Sequence, residues 1–156
     1  MKLIFLFLIT LSAFLRIQVS DFSGVWIIDQ GKSQYEHVLP GKGAPPTLSI
    51  HQTRDSIMIV RTLDSKIIRT ETYSLDGTGV YSKIDSMTEK TSSCTWSGDG
   101  KMLIIRSKYK IKDGRNWESL RTDVFKLSDD KNALTMERVN ILPDRTERII
   151  AVYNRK

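Results

Sequence analysis

Two histidines, one cysteine and scattered acidic and basic side chains are the residues in this 156-residue sequence whose types could do chemistry. His37 and His51 have no Cys or carboxylate near them at ligand spacing, so no metal site is predicted. Cys94 stands alone, which excludes an intramolecular disulfide. Ser92 and Trp96 alternate with it, the pattern of a small buried hydrophobe on a strand. A thiolate nucleophile would need a histidine or a helix N-terminus beside it, and both histidines lie in the N-terminal third. No Gly-x-Ser-x-Gly turn is present to strain a serine nucleophile. Asp99, between Gly98 and Gly100, reads as a hairpin turn, with a calcium loop as the alternative that lacks its other oxygen ligands. Asp55, Asp113, Asp129 and Asp130 take the same turn reading. The sequence therefore predicts no catalytic residue, metal or cofactor, because no polar cluster converges in it, and an enzyme is the least supported class.

Charge points the same way. The chain carries a net +6, falling to +4 without Lys2 and Arg16 near its start, and basic residues are interleaved with acidic ones. The densest group is Arg106, Lys108, Lys110 and Lys112, which share one face at strand spacing. Such a row could follow phosphates, but a half-exposed strand needs the same alternation, so nucleic acid is not an expected partner.

The elements that must position any site begin after an apolar leader. Met1-Lys2 and the apolar run from Leu3 to Leu15 have signal-peptide proportions, and the run is shorter than the roughly twenty residues of a membrane helix. Residues 1–20 are predicted to be a signal peptide, with an uncleaved anchor as the competitor and the cleavage site open. Residues 21–156 are predicted to form one domain, exported to the periplasm or the cell exterior, with no membrane span of its own.

From Thr47 onward the sequence is a series of short alternating runs, each closed by Asp-Gly, Asp-Ser or an Asp/Asn cluster that supplies tight-turn backbone. Leu103, Ile105, Ser107, Tyr109 and Ile111 face one way while Arg106, Lys108 and Lys110 face the other. Helical spacing is absent throughout, which argues against a helical domain and a parallel α/β sheet. The prediction is an all-β antiparallel up-and-down barrel of eight to ten strands, since open edges on so long a sheet invite aggregation. Gln30 to Pro46, rich in proline and glycine, is predicted to be one long loop, either sealing a barrel end or gating a ligand through Tyr35, His37 and Leu39.

Phe22-x-Gly24-x-Trp26 resembles the opening signature of the calycin barrels, the lipocalins and the intracellular fatty-acid-binding proteins. With the strand meander that follows, the chain is similar to small exported bacterial lipocalin-like proteins, and Arg121-Thr122-Asp123-Val124-Phe125 is a partial echo of a second lipocalin motif. The resemblance implies a closed barrel whose Trp26 packs across one end. The fatty-acid-binding proteins' carboxylate-holding Arg-x-Tyr is replaced here by Ala151-Val152-Tyr153, so the resemblance implies no carboxylate site.

A barrel of this size is either filled by its side chains or wide enough for one small ligand. Alternation nominates Trp26, Ile50, Ile59, Tyr73, Leu103, Ile105, Tyr109, Phe125 and Met136 for the inner wall, as core or as cavity lining. Trp96 and Trp117 fall at strand ends and could reach a rim. Two functions follow: a binder or carrier of a small hydrophobic molecule, or a solid-core module acting through its surface. Oligomeric state is not encoded in any of these features.

Overall fold

The computed structural model describes residues 19–39, 42–114 and 116–156. The predicted leader, apart from Val19 and Ser20, and Pro40 and Gly41 of the long loop lie outside the described residues. Eleven strands follow in order: β1 (Gly24–Ile28), β2 (Gln34–Glu36), β3 (Thr47–Gln52), β4 (Ser56–Leu63), β5 (Lys66–Ser74), β6 (Val80–Lys83), β7 (Thr88–Trp96), β8 (Met102–Ile111), β9 (Trp117–Leu127), β10 (Ala133–Ile141) and β11 (Thr146–Arg155). Ten of them form one antiparallel sheet in the order β5-β4-β3-β1-β11-β10-β9-β8-β7-β6. There is no helix among the described residues. The sheet curls into a nearly closed up-and-down barrel whose one unpaired seam lies between β5 and β6.

Side-chain periodicity explains why these segments are strands. On β8, Leu103, Ile105, Ser107 and Tyr109 are buried, and Arg106, Lys108 and Lys110 between them are exposed. Each strand therefore lends the core one face, and its register is fixed by that face. β7 begins at Thr88, and its buried Lys90 continues the inward line of Ser92 and Cys94.

The Gln30–Pro46 stretch differs from the predicted irregular loop. β1 pairs with Tyr153–Arg155 of β11, and β2 pairs with Arg148–Ile150 along the same edge. Between them the Asp29 amide donates to the Val152 carbonyl at 2.7 Å, and the Val152 amide donates to Ser33 Oγ at 3.1 Å. β1 and β2 are thus one interrupted strand. Gln34, Tyr35 and Glu36 are all exposed, so no alternation marks the second half in the sequence.

One end of the barrel is packed shut. Trp26 is fully buried, and its indole N–H donates to the Phe22 carbonyl at 3.0 Å. The Phe22 ring stacks on Trp96 with centroids 5.9 Å apart, and its amide donates to Gln52 Oε1 at 3.1 Å. Above this plug Leu48, Ile50, Ile57, Ile59, Leu103, Ile105, Phe125, Leu134, Met136 and Ile149 fill the interior. Burying each such side chain contributes about 1.5–3 kcal/mol, so this half holds the fold together.

Candidate functional site

Toward the other end the inward lines of β4, β5, β7, β9 and β10 change from apolar to polar. On β4, Ile57 and Ile59 are followed by Arg61; on β10, Leu134 and Met136 by Arg138 and Asn140; on β9, reading toward the open end, Phe125 by Asp123 and Arg121. β5 contributes Glu71 beyond Tyr73, and β7 contributes Lys90 beyond Cys94 and Ser92. The result is a layer of ionised side chains across the barrel, laid directly on the apolar core.

Cross-strand register brings the partners together. Asp123 stands opposite Arg138, and the pair is bidentate, with Arg138 Nε at 2.7 Å from Oδ1 and Nη2 at 3.0 Å from Oδ2. Arg61 donates to Glu71 and lies 3.9 Å from Asp123 Oδ2. Lys90 donates to the other Glu71 oxygen and to the Tyr73 hydroxyl at 3.2 Å, with its ammonium 5.7 Å from the Tyr109 ring centre. Arg121 differs from these three. Its Nε donates to Asn140 Oδ1 at 2.8 Å and its guanidinium lies 5.1 Å from the Tyr109 ring centre, but no described carboxylate is within ion-pair distance of it. Asn140 in turn donates to Glu147, which is paired with Arg145 at 2.9 Å.

The ionisation equilibria follow this geometry. Burial works against charge on Asp123, yet Arg138 outweighs it and holds the carboxyl below the usual range. Glu71 is likewise held low, because Arg61 and Lys90 overcome its desolvation. Burial lowers the pKa of Arg121, and the neighbouring Arg138 charge adds to that direction. Four cations, Arg61, Lys90, Arg121 and Arg138, thus face Glu71 and Asp123, while the buried Glu147 is paired to Arg145 and reaches Arg121 only through Asn140. A surplus of positive charge is held in a low-dielectric interior, where it is costly unless something anionic offsets it. The Tyr109 hydroxyl is also buried there without a hydrogen-bond partner among the described residues.

Above this layer is a bowl of about 910 Å³. Arg61, Arg121 and Arg138 form its floor, and Val38, Leu39, Pro45, Pro46, Leu63 and Ile68 supply apolar wall. A smaller opening of about 400 Å³ lies along the β5–β6 seam and reaches Glu71, Tyr73 and Lys90.

The nine residues nominated for the inner wall are all buried. Trp26, Ile50, Ile59, Leu103, Ile105, Phe125 and Met136 belong to the packed half, Tyr73 borders the seam opening, and Tyr109 lies beneath Arg121. Of the loop residues, Tyr35 and Leu39 border the bowl, whereas His37 is exposed, at a φ of 55°, and does not. His51 is exposed on β3, as its alternation with Ser49 and Thr53 requires. Trp96 stacks in the closed end, and the Trp117 indole donates to Asp113 at 3.1 Å. Burial pushes the Cys94 thiol up to about 12, which leaves it without thiolate character. The Arg106 to Lys112 row is exposed, and Lys108 and Lys112 pair with Glu118 and Glu89.

The expectation that no polar cluster converges is overturned by this layer. Its members were legible only by extending each apolar alternation beyond its last hydrophobic residue, where Arg61, Asp123 and Arg138 occupy inward positions. Among the described residues no three His, Cys, Asp or Glu side chains group closely enough to hold a metal ion. Fold and site together define an all-β, nearly closed antiparallel barrel with a packed base and a charged, open upper half. No family model matches the chain, and no curated protein matches it.

Proposed function

We propose that the protein is an exported lipocalin-like barrel that binds a small molecule in the bowl beneath the residue 30–46 segment. The observation that carries this reading is the bowl itself, its walls largely apolar with Lys42, Asp64 and Arg69 among them, and its floor made by the buried Arg61 and Arg138 and the half-buried Arg121. Ligand sites take this form, a concave and mostly apolar surface with a few fixed polar groups that orient what enters. A barrel evolved only to present its outer surface would gain stability from an apolar fill where Arg61, Glu71, Asp123 and Arg138 stand. The lipocalin-like reading rests on Phe22, Gly24 and Trp26, which meet at the closed end. Export to the periplasm or the cell exterior rests on the apolar run from Leu3 to Leu15.

Native mass spectrometry of the protein purified from its exported fraction tests the reading, with denaturation to release whatever is bound. A stoichiometric small molecule lost on unfolding supports it. An empty protein that also fails to brighten a fluorescent apolar probe would favour a module acting through its surface.

A further inference from the structure

β5 and β6 end the ten-stranded sheet, and each lacks a partner on the side that faces the other. We infer that the seam between them is a peptide-binding site, in which an extended acidic segment of another protein adds as the missing strand.

The backbone makes the first case. The Leu75 amide donates to the Asp55 carbonyl at 2.9 Å, and bonded pairs alternate along an antiparallel ladder. Glu71 and Tyr73 therefore turn their amides and carbonyls to β4, while Thr70 and Thr72 turn theirs to the seam. On the other side the Ile84 amide donates to the Thr88 carbonyl at 2.9 Å, so Ser82 bonds β7, and Tyr81 and Lys83 face the seam. Two rows of main-chain donors and acceptors thus border the same opening of about 400 Å³. β5 is nine residues long without a proline, and its Ile67 and Ile68 are exposed, which leaves it open to pairing. An extended peptide can bond both rows through its own amides, whereas a lipid, sugar or nucleic acid has no repeating amide to offer.

Charge says which peptide. Arg69, Glu71, Lys83 and Lys90 are the charged side chains at the opening. Glu71 is held by Arg61 and Lys90, and no described carboxylate lies within ion-pair distance of Arg69 or Lys83. One uncompensated cation stands on each edge. Acidic side chains on the incoming strand are attracted to both, and basic ones are repelled. Ile68 and Ile84, exposed beside these cations, give the same strand apolar neighbours. A second copy of this chain fits less well, because its β5 edge would bring Lys66 and Arg69 against the same cations with its Glu71 already engaged. Ile68 and Arg69 also border the bowl, but Thr70, Thr72 and Lys83 do not, so the peptide site is separate from the small-molecule site.

The test is fluorescence anisotropy of the purified protein with a labelled heptapeptide of alternating valine and glutamate, and with its counterpart of alternating valine and lysine. The glutamate peptide should saturate and bind about ten- to a hundredfold more tightly, a preference that shrinks at high salt. Methylating alternate amide nitrogens of that peptide removes the donors to one edge and should weaken it about tenfold or more. Thr72→Pro deletes a seam-facing amide, at an edge position where proline is tolerated, and should abolish peptide binding while an apolar probe still brightens in the bowl. Arg69→Gln/Lys83→Gln leaves every strand bond in place and should reduce the preference to about twofold with the melting temperature unchanged. Equal affinity for the two peptides overturns the acidic assignment. Failure of both to bind, or binding that survives both Thr72→Pro and amide methylation, overturns the seam as a strand site. A concentration-dependent dimer that Thr72→Pro abolishes would assign the seam to a second copy of the chain and overturn the foreign peptide.

Discussion

The guanidinium of Arg155 lies 4.3 Å from the centre of the Trp26 ring, and its Nη1 donates to the Ser23 carbonyl at 3.0 Å while Nε donates to the Lys131 carbonyl at 3.1 Å. The last residue of the last strand therefore clamps the first strand and the β9–β10 hairpin together over the closed end. Trp26→Ala should cost about 3–5 kcal/mol, as large-to-small changes in a packed core do. Arg155→Met keeps most of the apolar stem and should cost about 1–2 kcal/mol from the lost ring contact and donors. Urea unfolding measures both, and a loss below about 1 kcal/mol for Trp26→Ala would remove the closed end as the fold's anchor.

Gly24 has a separate requirement set by the same arginine. Its φ is +145°, and a Cβ built there would stand 2.9 Å from Arg155 Nη1. Gly24→Ala combines a backbone conformation that L residues avoid with displacement of the clamp, and should cost about 2–4 kcal/mol. If the clash with Arg155 is part of that cost, the double variant Gly24→Ala/Arg155→Ala will lose less than the two single losses added together. Full additivity would assign the whole penalty to the backbone.

The closed end was readable in advance because its signals are local. Phe22, Gly24 and Trp26 stand at alternate positions, and the strands that follow repeat an apolar-polar alternation that only one register can bury. The charged layer obeys the same alternation yet is ambiguous strand by strand, since a lone strand carrying Ile57, Ile59 and Arg61 reads equally as an inward arginine or as the point where the inward face reaches solvent. Only the assembled register, with Asp123 opposite Arg138 and Arg121 opposite Asn140, shows that these ends meet across the barrel. β2 was lost for a different reason: its pairing to Arg148–Ile150 is long-range and none of its three residues is buried.

The buried ion pairs give the protein a specific acid sensitivity. Asp123 and Glu71 titrate below the ordinary carboxylate range in the folded protein, and in the unfolded chain they return to about 4. The unfolded state therefore takes up their protons first as pH falls, and folding free energy decreases with it. Their contribution is whole above about pH 5 and disappears as pH drops through the folded values. Melting temperature should be level from neutral pH to about 5 and decline steeply below about 4. Asp123→Asn, which leaves Arg138 buried without its counter-charge, should cost about 3–5 kcal/mol at neutral pH and flatten the acid limb. A wild-type melting curve unchanged down to about pH 3 would show that these pairs add nothing to stability.

Two neighbouring hydrogen bonds tie the end of the bowl's lining segment to the barrel, and one of them, from the Ile28 amide to the Pro46 carbonyl at 2.9 Å, is main-chain only. Tyr153 Oη donates to the Pro45 carbonyl at 3.1 Å, joining β11 to the end of the segment that carries Val38, Leu39 and Ala44 over the charged floor. Tyr153→Phe keeps the ring packing and strands that carbonyl, at a cost of about 1–3 kcal/mol. The same change leaves the Ile28–Pro46 bond as the remaining tie at that point and loosens the segment before it, so its effect should extend beyond global stability. The Lys42 amide, which bonds the Leu39 carbonyl at 3.0 Å, should exchange faster in the variant under conditions where the β8 and β9 amides remain fully protected. Dissociation of a fluorescent apolar probe from the bowl should accelerate in parallel, with little change in its association rate, because most affinity changes within one site are expressed in dissociation. An unchanged Lys42 exchange rate, or a uniform rise across all strands, would show that the segment is held by its packing and the Ile28–Pro46 bond and that Tyr153 does not control access to the bowl.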